Sequence, residues 1–191
     1  IGPTGQGKTT LLTFLAGQAM RHHDLKVFFF DRHRGAEIFT RAVQGAYVGF
    51  DGDEKNVSLN PFDCRNTPNN RAFLRRWLKA ITMVDDALSE KEIGRAVTTA
   101  FDYLKPEERI LKNLYKSCFS PTGNMRRELF RWINPDQYGN IFNAENDSLD
   151  LASKRFMAFD FTHIFEDETL APAVISYIMH RIQSETGETG V

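Results

Sequence analysis

The feature that most narrows the fold is the string Gly2-Pro3-Thr4-Gly5-Gln6-Gly7-Lys8-Thr9, which matches GxxxxGK[ST] and runs directly into a helical stripe of Leu11, Leu12, Leu15, Ala16 and Ala19. Glycines permit the positive-φ conformations that turn successive N–H groups inward as an anion nest, and a helix start adds partial positive charge at the same point. Such a string in such a context reads as a phosphate-binding loop. The candidate nucleotide-binding residues are Gly2, Pro3, Thr4, Gly5, Gln6, Gly7, Lys8, Thr9 and Thr10. Lys8 would reach the β- and γ-phosphates and Thr9 would place its hydroxyl on Mg2+, so the implied ligands are ATP and Mg2+.

A P-loop follows a buried strand, yet only Ile1 precedes the first glycine, so the chain is expected to be a piece cut on that side. Its 191 residues amount to one domain with room for an insertion, at about 150 residues per domain. With 41% apolar and 26% charged residues it reads as a soluble folded piece rather than a disordered or fibrous one. Lys plus Arg (24) against Asp plus Glu (25) leaves a net charge of −1, so no general positive field draws nucleic acid or anionic lipid. The longest apolar runs, such as Val27 to Phe30, are strand-sized, which predicts no membrane span, and the N-terminus carries no signal-peptide pattern. Cys64 and Cys118 lack metal-site spacing and are expected as neutral thiols; His22, His23 and His33 are expected on solvated loops.

The pattern predicts a helix over 9–20, a buried strand over Lys26–Asp31 and a short helix over Ala36–Val43 stopped by Gly45. It then predicts a hairpin made of Ala46–Phe50, the Asp51-Gly52-Asp53 turn and Val57–Leu59. Helices dominate from Thr67, an N-cap followed by Pro68, with Phe73, Leu74, Trp77, Leu78, Ile81 and Val84 on one face. A second helix is expected from a capping box at Ser89–Glu92, carrying Ile93, Ala96, Val97, Ala100, Phe101 and Leu104, with two more over 107–119 and 124–133. After a polar loop over 134–150, Arg155–Phe161 reads as strand and Pro172 opens a helix with a stripe of Val174, Ile175, Ile178, Met179 and Ile182. The fold class is therefore α/β, with 1–66 and 135–191 forming a nucleotide-binding core around an all-α insertion at 67–134.

Hydrolysis in this class needs an apolar strand ending in Asp or Asp-Glu to hold the Mg2+ shell and polarise water. Two runs end that way, at Asp31 and at Asp160, neither followed by the glutamate that would act as base.

Several blocks in order resemble the CagE/TrbE/TraC ATPases, the VirB component-four class of bacterial type IV secretion and conjugation systems. They are GPTGQGKTT at 2–10, FFFDRHRGAEIF at 28–39, the Asn60-Pro61-Phe62 turn, NRAFLRRWLKAI at 70–81, GNIFNAENDSLDL at 139–151 and FDFTHIFEDETLAPAVISYIMHRI at 159–182. The resemblance implies a RecA-like P-loop motor core with a helical insertion, cytoplasmic and peripheral at the inner membrane. It also implies a homo-oligomer, either a hexameric ring or a dimer, that works with other apparatus subunits and hydrolyses ATP to energise assembly or substrate transfer. It places the family's Walker B strand after the helix at 172–182, beyond Val191, which lowers the claims of Asp31 and Asp160 and implies little hydrolysis by these residues alone. Asp160 remains a candidate catalytic residue beside Lys8. Arg34, the arginine before the glycine of the family's DxxRG-like stretch, is a third, able to sense phosphate or meet a neighbouring subunit.

The alternative is a DNA-translocating motor of the FtsK, HerA and coupling-protein group, which shares the fold and P-loop. Its local signal is two basic stripes, Arg71, Arg75, Arg76 and Lys79 on one helix and Arg126, Arg127 and Arg131 on another, set among acidic residues such as Asp85, Asp86, Glu107 and Glu108. A third reading makes the helical part a docking module whose interface nucleotide binding merely orders.

Overall fold

In the computed structural model, which describes residues 7–50 and 57–188, three short strands pair in parallel in the order β1-β3-β2. They are β1 (Val27–Asp31), β2 (Ala46–Val48) and β3 (Phe156–Asp160). Register runs from Val27↔Phe156 to Asp31↔Asp160 on one side of β3 and from Ala46↔Met157 to Val48↔Phe159 on the other. The central strand β3 is buried at every position, whereas β1 is half-buried and its Phe30 is 42% exposed, so the expected buried strand is an edge strand among the described residues.

Two compact units make up the chain: residues up to Asn56 with Asp150–Asp167, and Val57–Leu149 with the residues from Glu168 on. The first holds the sheet, α1 (Lys8–Ala19) and α2 (Glu37–Ala42). Rings from the sheet and its flanks stack on one another: Phe30 on Phe159 and Phe161 with centroids 5.6 and 5.4 Å apart, and Phe39 of α2 edge-on to Phe156 at 5.3 Å. The guanidinium of Arg155 caps the far end of α1, with Nη2 donating to the carbonyls of Met20 (2.8 Å) and His22 (2.6 Å).

Among the described residues the hairpin expected from 46 to 59 is not seen. β2 pairs in parallel with β3, and Leu59 N–H instead donates to Ile141 O (2.6 Å) while Ser58 N–H donates to Ser148 Oγ (3.0 Å). The Asp51-Gly52-Asp53 turn lies outside the described residues. Where α2 ends, Gln44 (φ 59°) takes the left-handed position and Gly45 N–H closes on Thr40 O at 2.9 Å, a Schellman motif in which the glycine stands one residue late. Gly45 is required for a different reason: a Cβ there would sit 2.6 Å from Phe156 O, against β3.

The second unit contains α3 (Pro68–Thr82), α4 (Ala87–Asp102), α5 (Leu111–Cys118), α6 (Asn124–Ile133), α7 (Gly139–Phe142) and α8 (Leu170–Glu188). It thus takes in more of the chain than the 67–134 expected of a helical insertion. Thr67 caps α3 by accepting Asn70 N–H at 3.1 Å, with Pro68 at the first helical position, and the expected apolar face is buried from Phe73 to Ile81. The cap of α4 is Asp86 rather than the expected Ser89: its Oδ1 accepts Ser89 N–H at 2.9 Å and its Oδ2 the Ser89 hydroxyl at 2.6 Å. Glu92, freed from a capping box and 4% exposed, accepts the Ser120 amide (3.0 Å) and hydroxyl (2.6 Å), tying down the turn after α5.

Two tryptophans fill the centre of this unit with both indole N–H groups satisfied, Trp77 to Ala173 O (3.1 Å) and Trp132 to Ile81 O (3.0 Å). Phe142 packs against Trp77 (5.1 Å) and Trp132 (5.7 Å), so the expected polar loop 134–150 contributes a short helix and core residues. In α8 the buried face is Ala173, Val174, Tyr177 and Ile178; Met179, expected on the stripe, is 39% exposed. The Asn60-Pro61-Phe62 turn is held by a fully buried Asn60, whose amide donates to Arg109 O (3.1 Å) and Glu145 O (3.2 Å) while Oδ1 accepts Phe62 N–H (3.0 Å). No helix among the described residues is long and apolar enough to cross a membrane.

Candidate functional site

Helix α1 opens at Gly7, whose φ of 74° lies in the left-handed region, and Leu11 N–H returns to Gly7 O at 2.9 Å. Lys8 and Thr9 therefore stand in the first turn, Lys8 exposed and Thr9 half-buried, at the amide-bearing, positive end of the helix dipole. That donor set suits a phosphate group with a hard cation next to it. Gly2, Pro3, Thr4, Gly5 and Gln6, the other residues expected to cradle phosphate, lie outside the described residues.

The turn after β1 packs against this first helical turn. A Cβ at Gly35 would stand 3.1 Å from Thr9 Cγ2, 3.4 Å from Thr9 Oγ1 and 3.6 Å from Asp31 Oδ1. Two consecutive non-glycine residues of the turn, His33 (φ 65°) and Arg34 (φ 55°), are left-handed, each at a cost of about 1 kcal/mol or more. The neighbouring carboxylates hold them there. Asp31, 4% exposed, accepts Arg32 N–H (2.9 Å) on Oδ1, and Ala36 N–H (2.8 Å) and the Tyr47 hydroxyl (3.0 Å) on Oδ2. Burial and the charge of Asp31 push the Tyr47 phenol well above its ordinary range, so it stays a donor.

Asp160, 5% exposed and in register with Asp31, accepts the Thr162 amide (3.0 Å) and hydroxyl (2.5 Å) on Oδ1. The Thr162 hydroxyl in turn accepts His33 N–H at 2.7 Å. The geometry thus gathers four candidates from the sequence, Thr9, Asp31, Arg34 and Asp160, into one corner of the sheet unit. It adds Gly35, Tyr47 and Thr162. Of these, Gly35 was visible as the glycine of the DxxRG-like stretch and Thr162 as a Thr two residues after Asp, a turn signature; Tyr47 left no local trace.

Arg34 does not point free of its own chain. Its Nε and Nη2 donate to Glu37 at 2.8 and 3.2 Å, and Arg41 Nη2 donates to the same carboxylate at 2.8 Å. The hydrogen bonds from Arg34 and then Arg41 hold the Glu37 carboxyl down at about 2.

The basic stripes are largely consumed inside the second unit. Arg71 pairs with Asp102 and lies over the Phe101 ring, Lys79 bridges Asp85 (3.0 Å) and Glu90 (2.5 Å), and Arg127 and Arg131 share Glu128. Arg126 lies 4.7 Å over Tyr115. Both cysteines are free, and burial pushes the Cys64 thiol up to about 12, leaving it neutral.

The fold and this corner together define an α/β chain with a small parallel sheet, a phosphate-type helix start and a helix-rich unit. Its backbone matches the solved structure of VirB4 from Thermoanaerobacter pseudethanolicus with a TM-score of 0.72, at 15% identity, over 96% of this chain and 56% of that one. No family model matches the chain. In sequence it is 32% identical over 187 residues to the type IV secretion system protein virB4 of Bartonella henselae and 31% identical over 189 residues to the virB4 protein of Agrobacterium fabrum. The type IV secretion system protein PtlC of Bordetella pertussis is 28% identical over 200 residues. Each of these alignments takes in 95% of this chain but only 23–24% of the relative, so the chain spans about a quarter of the length of the curated relatives it matches. The chain belongs to the VirB4 family of type IV secretion proteins.

Proposed function

We propose that this chain is the nucleotide-gripping part of a type IV secretion ATPase, a RecA-like core with its helical insertion. The observation that carries the reading is the left-handed Gly7 at the start of α1, which puts Lys8 and Thr9 in a first turn seated against the Asp31–Gly35 corner. The backbone N–H groups of Gly2 and of Thr4 to Lys8 would hold the phosphates, the Lys8 ammonium would balance charge on the β- and γ-oxygens, and the Thr9 hydroxyl would ligate Mg2+. Mg2+ held there would supply positive charge against the phosphoryl oxygens. Arg34 is the side chain we assign to meeting phosphate or a neighbouring subunit, which would require it to exchange its Glu37 contact. In this reading the full-length protein acts at the cytoplasmic face of the bacterial inner membrane, as a homo-oligomer with other secretion subunits, to energise assembly or substrate transfer. Internal pairing of the basic stripes ranks a DNA-translocating motor behind it.

The test is ATP binding and turnover by the full-length protein. Lys8→Ala is expected to lower turnover on the order of 10²-fold. Wild-type protein that gives no heat with ATP and Mg2+, or a Lys8→Ala variant with undiminished turnover, would overturn the reading.

A further inference from the structure

One hydroxyl links the ends of two neighbouring strands. Thr162 donates to Asp160 at 2.5 Å and accepts from the His33 amide at 2.7 Å, so both of its hydrogen-bonding roles are fixed and its rotor is locked. On the far side of the turn, Asp31 grips the amides of Arg32 and Ala36. Between these two anchors lies the left-handed pair His33–Arg34, a conformation the chain leaves readily unless it is held. Directly after it, Gly35 abuts the Thr9 side chain. A clamp on the turn is therefore a clamp on this approach to Thr9.

We propose that Thr162, itself fixed by Asp160, is a positioning residue for nucleotide hydrolysis: it clamps the His33–Arg34 turn and so fixes how closely Gly35 approaches Thr9, whose hydroxyl would ligate the metal. The inference rests on the nucleotide reading above and gives Asp160 a task other than direct ligation of the metal. Strand register makes the clamp possible, because Asp31 and Asp160 are Cα partners at the ends of β1 and β3.

The experiment compares Thr162→Val, Thr162→Ser and Gly35→Ala in the full-length protein by three readouts: calorimetry of ATP with and without Mg2+, steady-state turnover, and hydrogen exchange at the His33 amide in nucleotide-free protein. Thr162→Val keeps the shape of the side chain and loses the hydroxyl. It is expected to leave Mg2+-free ATP affinity within about twofold, to cut the affinity gained from Mg2+ severalfold with a matching rise in KM for MgATP, and to lower kcat about tenfold, short of the ~10²-fold that a 1 Å misplacement can cost. The His33 amide exchanges faster in it, and Thr162→Ser restores all three readouts. Gly35→Ala presses on Thr9 from the turn side without touching Thr162 and should reproduce the Mg2+ defect while His33 stays protected, which covers the case of a Thr162→Val protein that does not fold. A normal Mg2+ response in either Thr162→Val or Gly35→Ala, or failure of Thr162→Ser to restore it, overturns the clamp while leaving the nucleotide reading intact. Wild-type protein without ATP binding overturns both.

Discussion

In α3 the apolar residues Phe73, Leu74, Trp77 and Leu78 are all buried, whereas in α1 Leu11, Leu12, Phe14 and Leu15 are each more than half exposed and the residue turned inward is Thr13. At 100° per residue those four side chains of α1 fill an arc of about 160°, as wide an apolar face as a core helix carries. The two helices obey different masters. α3 is oriented by its apolar stripe, which finds α8 and the aromatic centre of its unit. α1 is oriented within the sheet unit by its first turn, where Thr9 meets Gly35, and by Gly17, whose bare backbone lets the Phe39 ring approach to 3.4 Å of where a Cβ would be. Periodicity reports that a helix exists; it reports the inward face only where packing is the helix's sole obligation.

That contrast is open to direct attack by mutation, and both tryptophans lie in the helix-rich unit, so indole fluorescence reads that unit alone. Trp77→Ala should lose about 3–5 kcal/mol in urea unfolding followed by Trp132 emission, the cost of a large cavity and of the lost indole bond to Ala173 O. Gly45→Ala, which forces a Cβ onto the backbone of β3, should cost about 1–3 kcal/mol. Its effect should appear as faster hydrogen exchange in the sheet.

A pH series gives a smaller effect. His180 stacks on Phe73 with centroids 3.8 Å apart, its Nε2 lies 2.8 Å from Asn70 Oδ1, and burial, then Arg76 and Arg181, hold its pKa below the ordinary 6.5. The folded state therefore binds the proton less readily than the unfolded one. The stability His180 contributes is present in full above pH 6.5 and is lost as pH falls from there through the depressed value. The tryptophan-detected midpoint should drop between pH 7.5 and 5.5, and His180→Gln should flatten that slope. Smallest of all, Leu12→Ala should change stability by no more than about 0.5 kcal/mol, against about 2–5 for Leu78→Ala. A large loss at Leu12 would mean that the contrast between the helices is wrong.

Features decided within a few residues were legible from sequence: the Thr67 cap with Pro68, the apolar face of α3, the β3 strand and the helix start at Lys8. Features decided at long range were not. Alternation and a turn-forming Asp51-Gly52-Asp53 made 46–59 look like a hairpin, but the partner of β2 is β3, more than a hundred residues onward, and no local propensity encodes that pairing. Asp86 and Ser89 are both good caps three residues apart, and only the extended backbone at Asp86 (φ −105°, ψ 151°) decides between them. The Thr162 clamp depends on the register of β1 against β3, so its two ends, 129 residues apart, carry no mutual signal in a single sequence.

The order β1-β3-β2 also has a consequence for synthesis. β1 and β2 leave the ribosome before β3 and are not neighbours, so neither can pair with β3 until the chain has grown through Asp160. By then the helices from α3 to α7 have already emerged, and their local contacts form far faster than a loop of that length closes. Translation itself thus postpones the corner built around Asp31 and Thr162 until β3 has been made.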